Sequence, residues 1–506
     1  MDGVRGDRRE GKTGPPLQPL AASHGSRQTN MSPLLQLRPH SAAKILKPPS
    51  YNVIVSETLN VAKESARPPE QRNDLAGIRT SAMFRALRHR NFQLFFSGQL
   101  ISLIGTWMQN VAQSWLVYRL TGSAFLLGVV GFAGQIPVFI FAPLGGVAAD
   151  RLSRRHVVIA TQTTSMILAF ILATLTLLRV VTVWEIIVLA ALLGTVNAFD
   201  IPARQAFLGD MVGREDLMNA IALNSSMFNG ARVVGPAVAG VLVAWIGEGW
   251  CFFANAVSYI AVIVGLCLMR LAPFVRPAVA ASPFEHIAEG FRFVMKTRPI
   301  RALLLLLGCI SLLALPYSVL MPIFADKILH GGARAFGILM GAAGCGALGG
   351  ALTLAMRTGV RGLGRVIAIS CACFGVSLIF FASSRYFWLS VLLLIPTGYA
   401  VMLQTSASNT LLQTMSPDNL RGRVLAVYSM MFMGMAPIGA LLAGAVAKRV
   451  GAPLTVGCGG VGAILGAIWF ARSLPSFRIE ARELLIASGM AAGQPPDSLP
   501  TTRPSS

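Results

Sequence analysis

Acid is scarce in this chain. Of 506 residues only 21 are Asp or Glu, against 43 Lys and Arg, and there are six histidines. Charged residues make up 13% of the whole while hydrophobic ones reach 54%, with a mean hydropathy of +0.62. No soluble domain of this length hides so much apolar surface, so the composition specifies a polytopic membrane protein. The few histidines, mostly in tails and loops, leave no metal-spaced cluster and no buried Ser-His-acid set. The phosphate-binding loop Gly-x-x-x-x-Gly-Lys-Ser/Thr is missing too, which excludes ATP drive through that motif. We therefore expect no enzyme, no cofactor and no metal.

Cysteine adds nothing to the chemistry. Cys251, Cys267, Cys309, Cys345, Cys371, Cys373 and Cys458 all lie in apolar stretches and read as small core residues. Cys371 and Cys373 are two apart, which turns their thiols to different faces of a helix, and no second pair or histidine lies near to complete a zinc site. The net charge of +22 is carried by short loops and the two ends of the chain, without aromatic interleaving. Nucleic acid is excluded as a partner; membrane topology explains the excess.

What the chain does have is long apolar runs of about 20 residues, the length that crosses a hydrocarbon core as helix. Twelve are expected: 92–120, 125–148, 157–179, 184–202, 220–246, 250–271, 302–328, 335–356, 363–383, 387–412, 424–447 and 452–471. Residues 1–83 mix Pro, Gly, Ser, Arg and Glu with no apolar period and read as a disordered tail without a signal-peptide core. Met83 to Asn91 is a basic amphipathic lead-in. The even-numbered connections carry Arg151, Arg154 and Arg155; Arg204 and Arg214; Arg270 to Arg301; Arg357, Arg361 and Arg365; Arg421 and Arg423. The odd-numbered ones are poorer in basic residues, which puts the first set and both termini in the cytoplasm.

The connection 272–301 is the longest and divides the spans six and six. Within it Phe284 to Phe293 alternates apolar and charged residues at helical intervals, as a helix lying on the membrane surface does. The expected organisation is a tail 1–83, a six-helix bundle 84–271, the linker 272–301, a second bundle 302–473 and a mostly disordered tail 474–506. The halves repeat: Gly145-Gly146 lies 204 positions before Gly349-Gly350, and Pro202 to Met211 lies at the same offset from Ser406 to Met415. Two related bundles facing each other are the architecture of alternating access.

Gly145-Gly146-Val147-Ala148-Ala149-Asp150-Arg151-Leu152-Ser153-Arg154-Arg155-His156 joins the second and third spans. It resembles the loop signature of major facilitator superfamily transporters, a likeness that extends over roughly Phe84 to Pro475. The resemblance implies a twelve-helix, all-α fold in two pseudo-symmetric bundles, with Gly145 allowing close helix contact, Asp150 capping a neighbouring helix, and Arg151, Arg154 and Arg155 pairing with acids. Ser153 departs from the usual glycine, and the repeat copy, Gly349 to Gly359, lacks the acid, so a cytoplasmic latch is expected on one side. Asn91-Phe92, Gln99 to Ser102, Trp115 to Tyr118, Asn197 with Pro202, Arg204 and Asp210, and Asn224 to Gly240 resemble the branch that holds the enterobactin exporter and related effector-efflux proteins. That narrower likeness implies export.

Gly230, Gly235, Pro236 and Gly240 on the fifth span bend a helix and let a neighbour approach. They also resemble the antiporter signature of exporters. Arg232 sits about twelve residues into this span, near mid-bilayer at ~1.5 Å per residue, where a charge faces a cavity or a partner. Asp200, an anionic substrate, or helix carbonyls are its candidate partners. Asp200 and Arg204 form a favourable pair four apart, and Asp200 is the candidate proton-coupling carboxylate. Gln99, Ser102, Thr106, Gln109 or Asn110, and Gln113 make one face of the first span polar. Lipid does not hydrate amides, so this face is expected on a central cavity or at a helix contact, joined by Asn224, Asn229 and Gln404.

The expected function is a monomeric secondary exporter in a bacterial-type inner membrane, exchanging protons for a small amphipathic molecule such as a siderophore or drug. A multidrug pump is the alternative within the class, and a transport-inactive receptor or assembly partner the alternative outside it.

Overall fold

The computed structural model describes residues 84–271, 283–357 and 359–487. The expected tail 1–83, part of the linker (272–282) and the final stretch 488–506 lie outside the described residues.

Among the described residues the chain is helical throughout, without strands. A 3-10 turn, Arg85–Arg88, leads into α1 (Arg90–Thr121), followed by α2 (Ala124–Arg151), α3 (Arg154–Leu177), α4 (Val183–Gly213), α5 (Glu215–Ile246) and α6 (Glu248–Leu268). The linker helix α7 (Pro283–Lys296) precedes α8 (Arg298–Leu313), α9 (Gly332–Ala355), α10 (Leu363–Ser383), α11 (Phe387–Met415), α12 (Asp418–Val450) and α13 (Ala452–Ala487). Eleven helical segments among the described residues are long and apolar enough to cross a membrane. The twelfth is α1, 32 residues long; its amides lower its hydropathy below that of its neighbours.

Local chemistry sets the boundaries. The Ser123 hydroxyl accepts from the Leu126 N–H at 3.3 Å to start α2. At the start of α4, Thr182 and Glu185 form a reciprocal capping box, with the Thr182 N–H donating to Glu185 Oε2 at 2.7 Å. The connection expected at 203–219 is instead helical almost throughout. The chain turns from α4 to α5 at Gly213, whose φ of 74° is open to glycine at little cost.

The seventh span departs from the expected single helix 302–328. α8 stops at Leu313, and a 3-10 turn at Leu315–Ser318, a short helical turn at Met321–Ile323 and a π turn at Phe324–Ile328 complete the crossing. Pro316 and Pro322 each remove a backbone donor, which breaks the ladder. At the other end of the second half, α13 runs on through Pro475 to Ala487, so part of the stretch read as disordered tail is helix.

One apolar core fills the second bundle and crosses into the first, linking Met108, Val111, Leu127 and Val130 with Tyr317, Phe324 and Phe336. A separate core of Phe92, Phe95, Phe207, Leu208 and Met211 belongs to the first bundle alone, near its arginine-rich end. The bundles are thus joined at one end and independent at the other. Exposed Trp184, Trp245, Trp250, Tyr386 and Trp388 ring the joined end, as aromatic side chains do at a membrane interface.

Candidate functional site

Asp200 lies in the middle of a buried polar cluster. Only 4% of it is exposed; its Oδ1 accepts from Thr161 Oγ1 and Gln162 Nε2, both at 2.9 Å, and its Oδ2 accepts from Arg204 Nε at 3.1 Å. The i,i+4 pair with Arg204 forms as the spacing implies. Asp200 is therefore engaged with its own helix and with α3, and does not pair with Arg232.

The polar stripe of α1 divides. Gln99, Ser102 and Gln109 are buried. Gln109 Oε1 accepts from Asn255 Nδ2 at 2.7 Å, and the Thr106 hydroxyl lies 3.5 Å from Tyr259 Oη. Gln109 and Thr106 thus meet α6 inside the first bundle, where Asn255, Ser258 and Tyr259 lie together, while Gln99 Oε1 is buried without a hydrogen-bond partner. Asn110 stays exposed and Gln113 half-buried. Asn229 is buried and donates to the Ser225 carbonyl, and Asn224 is half-buried. Gln404 is buried inside the second bundle, with Nε2 3.5 Å from Ser408 Oγ and Oε1 unpartnered.

The signature loop is short because α2 ends at Arg151 and α3 begins at Arg154. A Cβ on Gly145 would collide with the Ala198 carbonyl of α4, so glycine sets the α2–α4 approach. Arg154 Nη1 donates to Asp210 Oδ1 at 2.7 Å, and Arg155 Nη2 donates to the Cys267 carbonyl at 2.9 Å. Asp150 and Arg151 are exposed and make no hydrogen bond or ion pair among the described residues. The expected helix cap by Asp150 is not formed among the described residues.

On α5 the signature glycines differ in role. A Cβ on Gly235 would come within 2.5 Å of Trp107 Cβ on α1, and one on Gly240 within 2.7 Å of Gly337 Cα on α9. Gly230 faces open space and packs against nothing. Pro236 lies inside the helix between the two packing glycines. Arg232 is half-buried, with its guanidinium carbon 5.9 Å from the centre of the Trp107 ring. Phe228, one turn earlier, meets Trp107 edge-on at 5.7 Å.

At the joined end the Tyr118 hydroxyl donates to Asp326 Oδ2 at 2.8 Å, from α1 of the first bundle to the π turn of the second. Trp115 stacks on Phe336 at 6.3 Å beside it. Gly128 faces Ala440 and Gly444 across the same interface. The terminal residues Arg151, Ala355 and Leu420, at the far end, take part in none of these approaches.

The model of the transmembrane secretion effector family matches residues 81–489. The chain belongs to that family of major facilitator transporters. This secretion effector transporter is 27% identical to the staphyloferrin A transporter of Staphylococcus aureus over 73% of the chain and 93% of that protein. It is 28% identical to the multidrug efflux pump Tap of Mycolicibacterium fortuitum, over 69% and 87%, and 27% identical to the enterobactin exporter EntS of Salmonella choleraesuis, over 74% and 90%. The fold recurs in the nucleoside transporter NupG, with a TM-score of 0.56 at 16% identity over 77% and 98% of the two chains. It recurs in a bacterial homologue of the lysosomal transporter Spinster in an inward-facing, unoccupied conformation, with a TM-score of 0.55 at 13% identity over 79% and 97%. This is a multi-pass membrane transporter of the exporter branch, and not an enzyme.

Several residues of the candidate site and its surroundings escape a sequence reading. Thr161 and Gln162 show only as ordinary polar residues on the third span. Asp326 carried a usable signal, as an acid in a long apolar run, but nothing in the sequence pairs it with Tyr118. Asp216, which holds Arg85 at 3.1 Å and His89 at 2.8 Å and so ties the lead-in to α5, gave no motif at all.

Proposed function

We propose that the protein is a secondary active exporter, moving a small amphipathic molecule of siderophore or drug type out of a bacterial cytoplasm by alternating access in exchange for protons. The observation that carries this reading is the asymmetry of the bundle interface: joined through Tyr118, Asp326, Trp115 and Phe336 at one end, and apart at the other. The positive-inside rule makes the arginine-rich end cytoplasmic, so the conformation described is open to the cytoplasm, ready to load cargo. Both termini then lie on the cytoplasmic side. Closing the open end and releasing the Tyr118 contact turns the site outward.

Asp200 is the coupling carboxylate in this scheme. Proton uptake removes its charge, weakens the hold on Arg204 and loosens α4 against α3. The names of the enterobactin exporter and of the efflux pump Tap support outward transport, that of the staphyloferrin A transporter supports a siderophore cargo, and Tap favours a broad drug range as the second reading.

The test is efflux of a drug-like dye such as ethidium, and of a ferric-free siderophore extract, from proteoliposomes holding the purified protein. A proton gradient is expected to accelerate efflux, a protonophore to abolish the acceleration, and Asp200→Asn to leave residual movement with no pH dependence. Equal efflux with and without the gradient would overturn proton exchange, and no efflux of any cargo would overturn the exporter reading.

A further inference from the structure

Arg232 stands midway along α5, where the helix faces both α1 and the second bundle: a Cβ on Gly344 of α9 would lie 3.0 Å from the Arg232 carbonyl. Its guanidinium, with five N–H donors, makes no hydrogen bond or ion pair among the described residues. The acid that the sequence offered as partner is occupied, since Asp200 is held by Arg204, Thr161 and Gln162. Asp326, at the joined end of the two bundles, is taken by Tyr118. A charge left unpaired at this depth is costly and persists where a ligand supplies the counter-charge.

The surroundings say what kind of ligand that is. Arg232 is half-buried, at a point of α5 that packs on Trp107 of α1 and on Gly344 of the second bundle. Tyr317 of the second bundle is close enough to interact electrostatically with Arg232. Trp107 sits under the guanidinium, and Phe228, 43% exposed, extends the aromatic wall toward the open end. A positive centre without acids, flanked by ring faces, repels organic cations and leaves neutral molecules with an unpaired guanidinium. It matches an anion.

Resting on the exporter reading above, we infer that the preferred cargo is an organic anion with a flat aromatic body, its carboxylate, sulfonate or phenolate oxygens paired with Arg232 and its ring lying against Trp107 and Phe228. Planar fork-to-anion pairing gives the guanidinium an orientation that an ammonium lacks, and exclusion of water strengthens the attraction.

A matched set of probes tests this. Anilinonaphthalene sulfonate and N-phenylnaphthylamine share one ring framework with and without the anionic group, and ethidium is a cation of comparable breadth. Saturable binding is measured on full-length protein in nanodiscs against empty nanodiscs. Wild-type protein is expected to bind the sulfonate about tenfold tighter than the neutral probe, and ethidium weakest. Arg232→Gln is expected to remove that preference, and Arg232→Lys to restore part of it. The wild-type order alone decides the matter if Arg232→Gln does not fold: ethidium binding at least as tightly as the sulfonate overturns the inference. So does a folded Arg232→Gln protein that keeps the full sulfonate preference. Gradient-driven ethidium efflux that is indifferent to Arg232 would leave the exporter reading standing and remove only the anion.

Discussion

Arg154 shows how much one side chain holds at the turn between α2 and α3. Its guanidinium reaches Asp210 at 2.7 Å and the Ala206 carbonyl at 3.4 Å on α4, and returns to the Ala149 carbonyl at 3.4 Å on α2. Because both charges are partly exposed, the ion pair itself contributes about 0.5 to 1 kcal/mol, and the carbonyl contacts raise the cost of losing Arg154 above that of losing Asp210. A double-mutant cycle of Arg154→Ala and Asp210→Ala, read by thermal unfolding in detergent, is expected to give a coupling of this size; additive losses would sink the pairing. The deeper Asp200 behaves differently. Asp200→Ala strands the partly buried Arg204 and is expected to cost about 3 kcal/mol, while Asp200→Asn keeps an acceptor for Thr161 and costs less. Equal melting temperatures for the two variants would count against the cluster. Of these residues the sequence exposed the charges and their spacing, Asp200 with Arg204 and the arginines of the loop. It hid their partners from other helices, because Thr161 and Gln162 meet Asp200 only through tertiary packing.

At the level of the helix, hydropathy and periodicity identify the spans well and fail where polar or breaking residues act in combination. The α1 stripe was visible as a stripe, but its direction was not: an amide in a membrane helix is equally served by a water-filled cavity and by a partner amide, and Asn255 decides for Gln109. The extension of α4 to Gly213 was hidden because residues beyond the membrane surface lose apolar character while staying helical. The two adjacent loop glycines are the opposite case, alike in sequence and unlike in structure. A Cβ on Gly145 strikes the Ala198 backbone, whereas one on Gly146 meets nothing within 4 Å. Gly145→Ala is therefore expected to separate α2 from α4 and destabilise the first bundle by about 1 to 3 kcal/mol, and Gly146→Ala to be neutral or slightly stabilising. Thermal unfolding of the two single variants checks this, and a similar loss in both would refute the close approach.

For the whole transporter, the alternating-access cycle proposed above rests on contacts that lie far apart in sequence, and these were the least legible of all. The internal repeat announced two bundles, yet it carries no information about which end is closed, since both states use the same residues and helices. The closed end depends on the Tyr118–Asp326 hydrogen bond, on Trp115 against Phe336 and on the Gly128–Ala440 approach. At the arginine-rich end Asp150 is exposed and makes no hydrogen bond or ion pair among the described residues. Tyr118→Phe removes one hydrogen bond to a carboxylate while keeping the ring that packs beside Trp115. A bond of that kind contributes about 1.5 kcal/mol, so the equilibrium moves about tenfold toward the state in which this end is open. Spin labels on Leu120→Cys and His330→Cys, both exposed positions flanking the contact, in a background lacking the native cysteines, report the separation directly. The longer-distance population is expected to grow in Tyr118→Phe and in Asp326→Ala by similar amounts, and no further in the double variant, because either change already removes the shared bond. Unchanged distance distributions would show that apolar packing alone holds this end closed.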